Sequence, residues 1–235
     1  MNEGLYRAAE QRLWKSHGVT PIEHRLHLAR NDVRVRIQEV GEGKPLVFIH
    51  GANTSGASWA SLASRLQDRR CLVLDRPGTG LSEPLPGRLD AARFAHLADT
   101  LVVDVLDALG LDSADIVATS LGGYIGLRSA AARPDRIRRM VQFSWPVGAP
   151  IDWLPWFMRM MAIPGVGRLV AAIPPSERTV RMTFRRIGHG VSLDAGIITR
   201  EDLDAYLAML RHTDTMRNEL GSSRVFVSPL RGLRT

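Results

Sequence analysis

Ala118-Thr119-Ser120-Leu121-Gly122-Gly123 is the stretch whose reading decides the fold. It follows the apolar run Asp115-Ile116-Val117-Ala118 and opens a stretch of helical character over residues 121–132. A strand that passes directly into a helix must turn sharply at the junction, and the turning residue is held in a strained conformation. Side chains two positions either side of it come close together, so both must be small. Ala118 and Gly122 meet that demand, and Gly123 lets the following helix pack tightly. The plainer reading is a strand followed by a Gly-Gly turn and a serine with no role.

The surrounding chain supports a strand at this point. Leu46-Val47-Phe48-Ile49 and Cys71-Leu72-Val73-Leu74 are similar short apolar runs, and a fourth spans residues 140–143. Such runs mark strands covered on both faces. Helical segments are predicted at about residues 58–67, 92–109 and 121–132 between them, and residues 3–16 have helical spacing. Strands alternating with helices imply an α/β fold, a mostly parallel sheet with helices on both faces. Val33-Arg34-Val35-Arg36-Ile37 alternates apolar and polar residues, the pattern of a half-solvated edge strand.

The pattern changes after Pro146. Residues 150–220 read as helical throughout, interrupted at Pro155, Pro164-Gly165, Pro174-Pro175 and Gly188. Ser176-Glu177-Arg178-Thr179 and Thr199-Arg200-Glu201-Asp202 have the form of helix starts, with acidic residues in the first turn. A helical insertion between sheet strands is often a lid. The expected organisation is therefore a core over residues 1–148, a helical lid over 149–220, and a remnant of the return to the core over 221–235.

Composition narrows the function classes. The hydrophobic fraction of 45% with 23% charged residues suits a soluble globular protein, and no apolar run reaches the length of a membrane span. The N-terminus lacks the basic-then-apolar order of a secretory signal, so cytoplasm is the expected location. One cysteine, Cys71, excludes an internal disulfide and a cysteine-rich metal site, and it sits in a strand where a packed, inert thiol is expected. The net charge of +7 is scattered arginine, with Lys15 and Lys44 the only lysines. Without a nucleic-acid-binding motif or interleaved aromatics it does not point to nucleic acid.

Two further motifs follow strands. His50-Gly51-Ala52-Asn53 comes directly after residues 46–49. Acyl transfer needs N–H donors aimed at a developing oxyanion, and a glycine just after a strand lets the next amide, that of Ala52, turn into a pocket. His50 is expected to brace this loop, and Asn53 either holds the loop or contacts substrate. Asp75-Arg76-Pro77-Gly78-Thr79-Gly80-Leu81-Ser82 shapes a tight loop after the next strand, with Asp75 in a structural role. Its glycines lack the third member and the following helix of a dinucleotide fingerprint.

In this order and spacing the three motifs closely resemble the α/β-hydrolase superfamily, in particular its lidded esterase-like members. The resemblance covers residues 1 to about 148 closely and 149–220 loosely. It implies Ser120 as nucleophile, the amides of Ala52 and Leu121 as oxyanion hole, and no cofactor or metal. Trp153 and Trp156, with Phe157, Met158 and Met161, would line an acyl site in the lid or pack it onto the body. The implied substrate is a small apolar ester or related acyl compound. C–C hydrolysis, lactone opening and cofactor-free oxidation use the same elbow. Dehalogenases and epoxide hydrolases normally carry an aspartate where this chain has Ser120.

The chain departs from the family pattern in two places. Ala118 stands at the usual first glycine of the elbow. The family's acid and histidine follow later strands, and Ser228-Pro229-Leu230-Arg231-Gly232-Leu233-Arg234-Thr235 contains neither. Asp152, His96, His189 and His212 are weak internal substitutes. The shortfall corresponds to about 50 residues of strand and helix, so the expectation is a reading frame truncated or shifted near residue 222. The competing expectation is a non-catalytic ligand-binding protein on the same scaffold. Membrane association through residues 153–161 is a third, weakened by Pro155 and Pro164.

Overall fold

The computed structural model describes residues 2–144 and 175–219. Six strands form one sheet: β1 (Ile22–Leu28), β2 (Val33–Val40), β3 (Lys44–Ile49), β4 (Arg69–Leu74), β5 (Ala114–Thr119) and β6 (Ile137–Phe143), in the order β1-β2-β4-β3-β5-β6. The β3, β4, β5 and β6 neighbours pair in parallel, whereas β1 and β2 are antiparallel to their neighbours. The expected mostly parallel sheet is therefore present.

Helices cover both faces because the buried strands alternate their side chains between two cores. Val47, Ile49, Leu72, Leu74, Ile116 and Ala118 point to the face covered by α3 (Ala91–Ala108) and α4 (Leu121–Ala132). Leu46, Phe48, Cys71, Val73 and Val117 point the other way, toward α1 (Glu3–Ser16), a 3-10 turn at Gly56–Trp59 and α2 (Ala60–Ala63). Burial pushes the Cys71 thiol up to about 11, which keeps it protonated. The segment expected at residues 58–67 is thus two short pieces rather than one helix.

Beyond residue 174 lie α5 (Glu177–Phe184), α6 (Gly190–Asp194) and α7 (Arg200–His212). Both predicted helix starts are present as caps. The Ser176 hydroxyl accepts from the Thr179 N–H at 3.1 Å, and Thr199 and Asp202 form a reciprocal capping box. Val180, Leu193 and Leu203 make a small core of their own. Ala205 of α7 joins Leu13 and Trp14 of α1 in the larger cluster, so this helix is fastened to the body.

β2 departs from the sequence expectation. It is an interior strand, paired with β1 on one side and β4 on the other, and β1 is the edge. Arg34 faces water, but Arg36 and Gln38 do not. Arg36, 2% exposed, binds Glu10 of α1 through both terminal nitrogens, Asp75 at 3.2 Å and Glu23 at 2.8 Å. Gln38 bridges the Glu10 carboxylate and the Trp14 indole N–H, both at 3.1 Å. The Tyr6 hydroxyl donates to Glu10 and meets Ser55, each at 2.9 Å. Burial opposes the charge on Arg36, but the surrounding Asp75 and Glu10 carboxylates raise its pKa further above the usual value.

Removing one member of such a group leaves buried charge unpaired, at a cost of about 3–5 kcal/mol. Arg36→Met is therefore expected to lose about 3–5 kcal/mol in urea unfolding. Arg25→Met, on the exposed side of β1, should lose less than about 1 kcal/mol. Equal losses would show that the buried group does not hold α1 to the sheet.

Candidate functional site

β3, β4 and β5 end level. Ile49 pairs with Leu74 on one side and with Ala118 on the other. The loops beginning at His50, Asp75 and Ser120 therefore leave from one edge of the sheet. The chain goes from β3 to β4 on one side, then to β5 on the other. Ligands of open α/β sheets bind outside the carboxyl ends of strands at such a reversal.

Ser120 stands between β5 and α4 with φ 50° and ψ −121°. A positive φ is uncommon for a residue with a Cβ and persists only when its surroundings enforce it. Its N–H donates to the Phe143 carbonyl of β6 at 3.1 Å, and its own carbonyl accepts from Gly123 at 2.8 Å. Gly122 completes the enforcement. A Cβ there would fall 2.6 Å from the His50 carbonyl oxygen and closer still to that of Ile49. The backbone of β3, rather than Ala118, is what requires glycine at this position. Leu121, as the first residue of α4, has no intrahelical acceptor for its N–H.

The second loop lies against the first. A Cβ on Gly51 would be 3.2 Å from the Ser120 Cβ. The Gly51 carbonyl is held inward by His50 Nδ1–H at 2.8 Å and by the Arg76 guanidinium at 2.9 Å. In a planar trans peptide the N–H points opposite to the C=O, and no peptide bond among the described residues is cis. The Ala52 N–H is therefore turned outward, away from Arg76. Asn53, at φ 55°, has its backbone N–H tied to the Glu219 carboxylate at 3.2 Å. Ser120, Leu121, Ala52 and Asn53 thus meet at one edge, whereas Trp153, Trp156, Phe157, Met158, Met161 and Asp152 lie outside the described residues. So does the segment 221–235.

His50 is fully buried. Its Nε2 accepts the Arg76 backbone N–H at 3.1 Å and meets Thr79 Oγ1 at 2.9 Å, which leaves the proton on Nδ1 for Gly51. Burial, reinforced by the nearby Arg76 charge, pushes its pKa well below 6.5. It is a neutral brace, as its place in the sequence suggested. Asp75 is likewise structural, accepting from Gly56 N–H at 2.7 Å and Leu81 N–H at 3.0 Å beside its contact with Arg36.

None of the seven histidines hydrogen-bonds Ser120. His24 and His27 are on β1, four strands from β5 and so about 19 Å away across the sheet. His96 on α3 faces the Arg30 carbonyl, and His189 packs edge-on against Phe184. No group of three His, Cys, Asp or Glu among the described residues could hold a metal ion. Two shallow grooves lie elsewhere, one beside Arg30 and Asp104 and one at the N-terminal ends of β5 and β6. No helix among the described residues is long and apolar enough to cross a membrane.

Known proteins carry the same architecture. A family model described as alpha/beta hydrolase fold matches residues 44–166. The chain is 36% identical over 128 residues to a 2-hydroxymuconate semialdehyde hydrolase of Pseudomonas putida, covering 51% of this chain and 44% of that protein. It is 34% identical over 115 residues to a 2-hydroxy-6-oxo-2,4-heptadienoate hydrolase of Pseudomonas putida, covering 46% and 40%. The chain spans less than half the length of these curated relatives. In fold, it superposes on a haloalkane dehalogenase of Agrobacterium tumefaciens with a TM-score of 0.62 at 21% identity, covering 89% of this chain and 69% of that one.

The buried His50 sets a pH dependence. Unfolded, it binds a proton near pH 6.5; folded, it refuses that proton until well below 6.5. Its contribution to stability is therefore present above pH 6.5 and is lost as the pH falls toward the folded value, by up to ~1.4 kcal/mol per pH unit. Urea unfolding between pH 7.5 and 5 should show His50→Gln with a shallower acid loss than wild type. Parallel profiles would contradict a buried neutral His50.

Proposed function

This chain belongs to the alpha/beta hydrolase fold family, and we propose that it is a hydrolase whose nucleophile is Ser120 and whose substrate is a small apolar acyl compound. The observation that carries this reading is the strained Ser120, at φ 50°, seated against Gly51 with the outward Ala52 amide next in the chain. Strain of this kind is retained where a side chain must be presented, here at the end of β5.

The chemistry follows from the atoms. Ser120 Oγ adds to the carbonyl carbon and loses its proton to a base. The carbonyl oxygen gains the electron pair and becomes an oxyanion, and the Ala52 and Leu121 N–H groups donate to it. Each such donor is worth about 2.7–4 kcal/mol in the transition state. Collapse expels the leaving group, and water then releases the acyl group as a carboxylate. An ester loses an alcohol in this sequence. Substrates of the kind the relatives are named for carry a ketone or aldehyde. The same addition to a ketone would break a C–C bond, with the departing carbon taking a proton.

One observation favours a second reading, a protein that binds such a ligand without turning it over. None of the histidines is in hydrogen-bond contact with Ser120 to take its proton, and His50 is committed to Arg76, Thr79 and Gly51. A serine without its base retains only the catalysis that the oxyanion hole and binding supply.

A fluorophosphonate probe separates the two. The hydrolase reading expects covalent labelling of the full chain that peptide mapping assigns to Ser120 and that Ser120→Ala abolishes. Absence of labelling, with a small apolar ester or oxo-acid still bound in calorimetry, supports the second reading and overturns the first.

A further inference from the structure

We infer that Glu219 and Arg76 form a positioning clamp that sets the direction of the Ala52 amide. The inference deepens the reading of Ser120 as nucleophile and rests on it. Arg76 and Glu219 are each 3% exposed and joined at 2.9 Å. The guanidinium of Arg76 also donates to the carbonyls of His50 at 3.1 Å and Gly51 at 2.9 Å. The carboxylate of Glu219 uses its other oxygen to accept the Asn53 N–H at 3.2 Å. The pair thus grips the loop on both sides of Ala52. Arg76 draws in the carbonyl before the Ala52 nitrogen, and Glu219 draws in the amide after the Ala52 carbonyl. With both neighbouring peptides fixed and planar, the Ala52 N–H has one direction left to it.

Glu219 is itself held in place. Thr215 accepts the Gly80 N–H at 2.9 Å, and Asn218 donates to the Gly78 carbonyl at 2.9 Å. The segment that brings Glu219 in is seated along the Arg76–Gly80 loop before it reaches Asn53. A carboxylate suits the position because Arg76 and Asn53 each donate to a different one of its two oxygens. Glutamine would turn an NH2 toward one of those donors.

A group that only orients an oxyanion donor affects the transition state more than ground-state binding. The test measures the rate constant of Ser120 phosphonylation by a fluorophosphonate in the full-length chain, because the phosphonyl oxygen occupies the oxyanion position. Glu219→Gln should slow it by about 10-fold or more, and Glu219→Asp, which keeps both oxygens on a shorter stem, should lie between. Arg217→Ala, on the same segment with a side chain 81% exposed and paired only to Asp214 at 3.2 Å, leaves these contacts intact and should react at the wild-type rate. Hydrogen exchange of the Asn53 amide should be protected in wild type and lost in Glu219→Gln. Equal rates for wild type and Glu219→Gln overturn the clamp and leave the nucleophile standing. If Glu219→Gln does not fold, a Glu219→Asp rate equal to wild type overturns it in the same way. Slowing of Arg217→Ala to the level of Glu219→Gln also overturns it, because the effect then does not belong to the carboxylate of Glu219. A wild-type Ser120 that does not react overturns the nucleophile reading, and the clamp's catalytic consequence with it.

Discussion

No side chain fits between the end of β3 and the first turn of α4. The Ile49 and His50 carbonyls occupy the space where a Gly122 Cβ would stand, and the remaining local geometry depends on that contact. The helix must begin hard against the strand, so the residue that turns the chain, Ser120, is driven to φ 50°. Level pairing of Ile49 with Leu74 and Ala118 then brings the loops of three strands to the same edge. One steric constraint places a serine, a helix N-terminus and the β3 loop side by side.

Buried arginines hold this edge together. Arg36 joins α1 to β2 and to Asp75, whose carboxylate in turn organises the turns at Gly56 and Leu81. Arg76 joins the β3 and β4 loops to each other and, through Glu219, to the segment after α7. Charges buried this deeply stabilise little in themselves, since desolvation offsets most of their attraction. What they supply is direction, because a guanidinium accepts only a few arrangements of carboxylates and carbonyls around it.

Much of this was legible in the sequence, and the exceptions have a common cause. The strands at 46–49, 71–74 and 115–118 announce themselves because both their faces are buried and every position but Asp115 is apolar. The elbow reads from the small residues around Ser120, although the backbone that requires glycine at 122 belongs to Ile49 and His50, far off in sequence. β2 misreads as an edge because Arg36 alternates with apolar residues just as the exposed Arg34 does, and Gln38 beyond it is buried too. Their partners Glu10, Glu23 and Asp75 lie far off in sequence, and nothing near Arg36 advertises them. Glu219 is hidden for the same reason. Its partner Arg76 is 143 positions away, and the residues around it carry no motif. Among the described residues no histidine hydrogen-bonds Ser120.

The central claim is that Ser120 and the Ala52 and Leu121 amides form one acyl-transfer site. The most direct measurement is a crystal structure of the full chain after reaction with a fluorophosphonate. The account predicts phosphorus bonded to Ser120 Oγ, with the phosphonyl oxygen about 2.7–3.1 Å from both amide nitrogens. A phosphonate on another residue, or an oxygen on Ser120 directed away from Ala52 and Leu121, would contradict it.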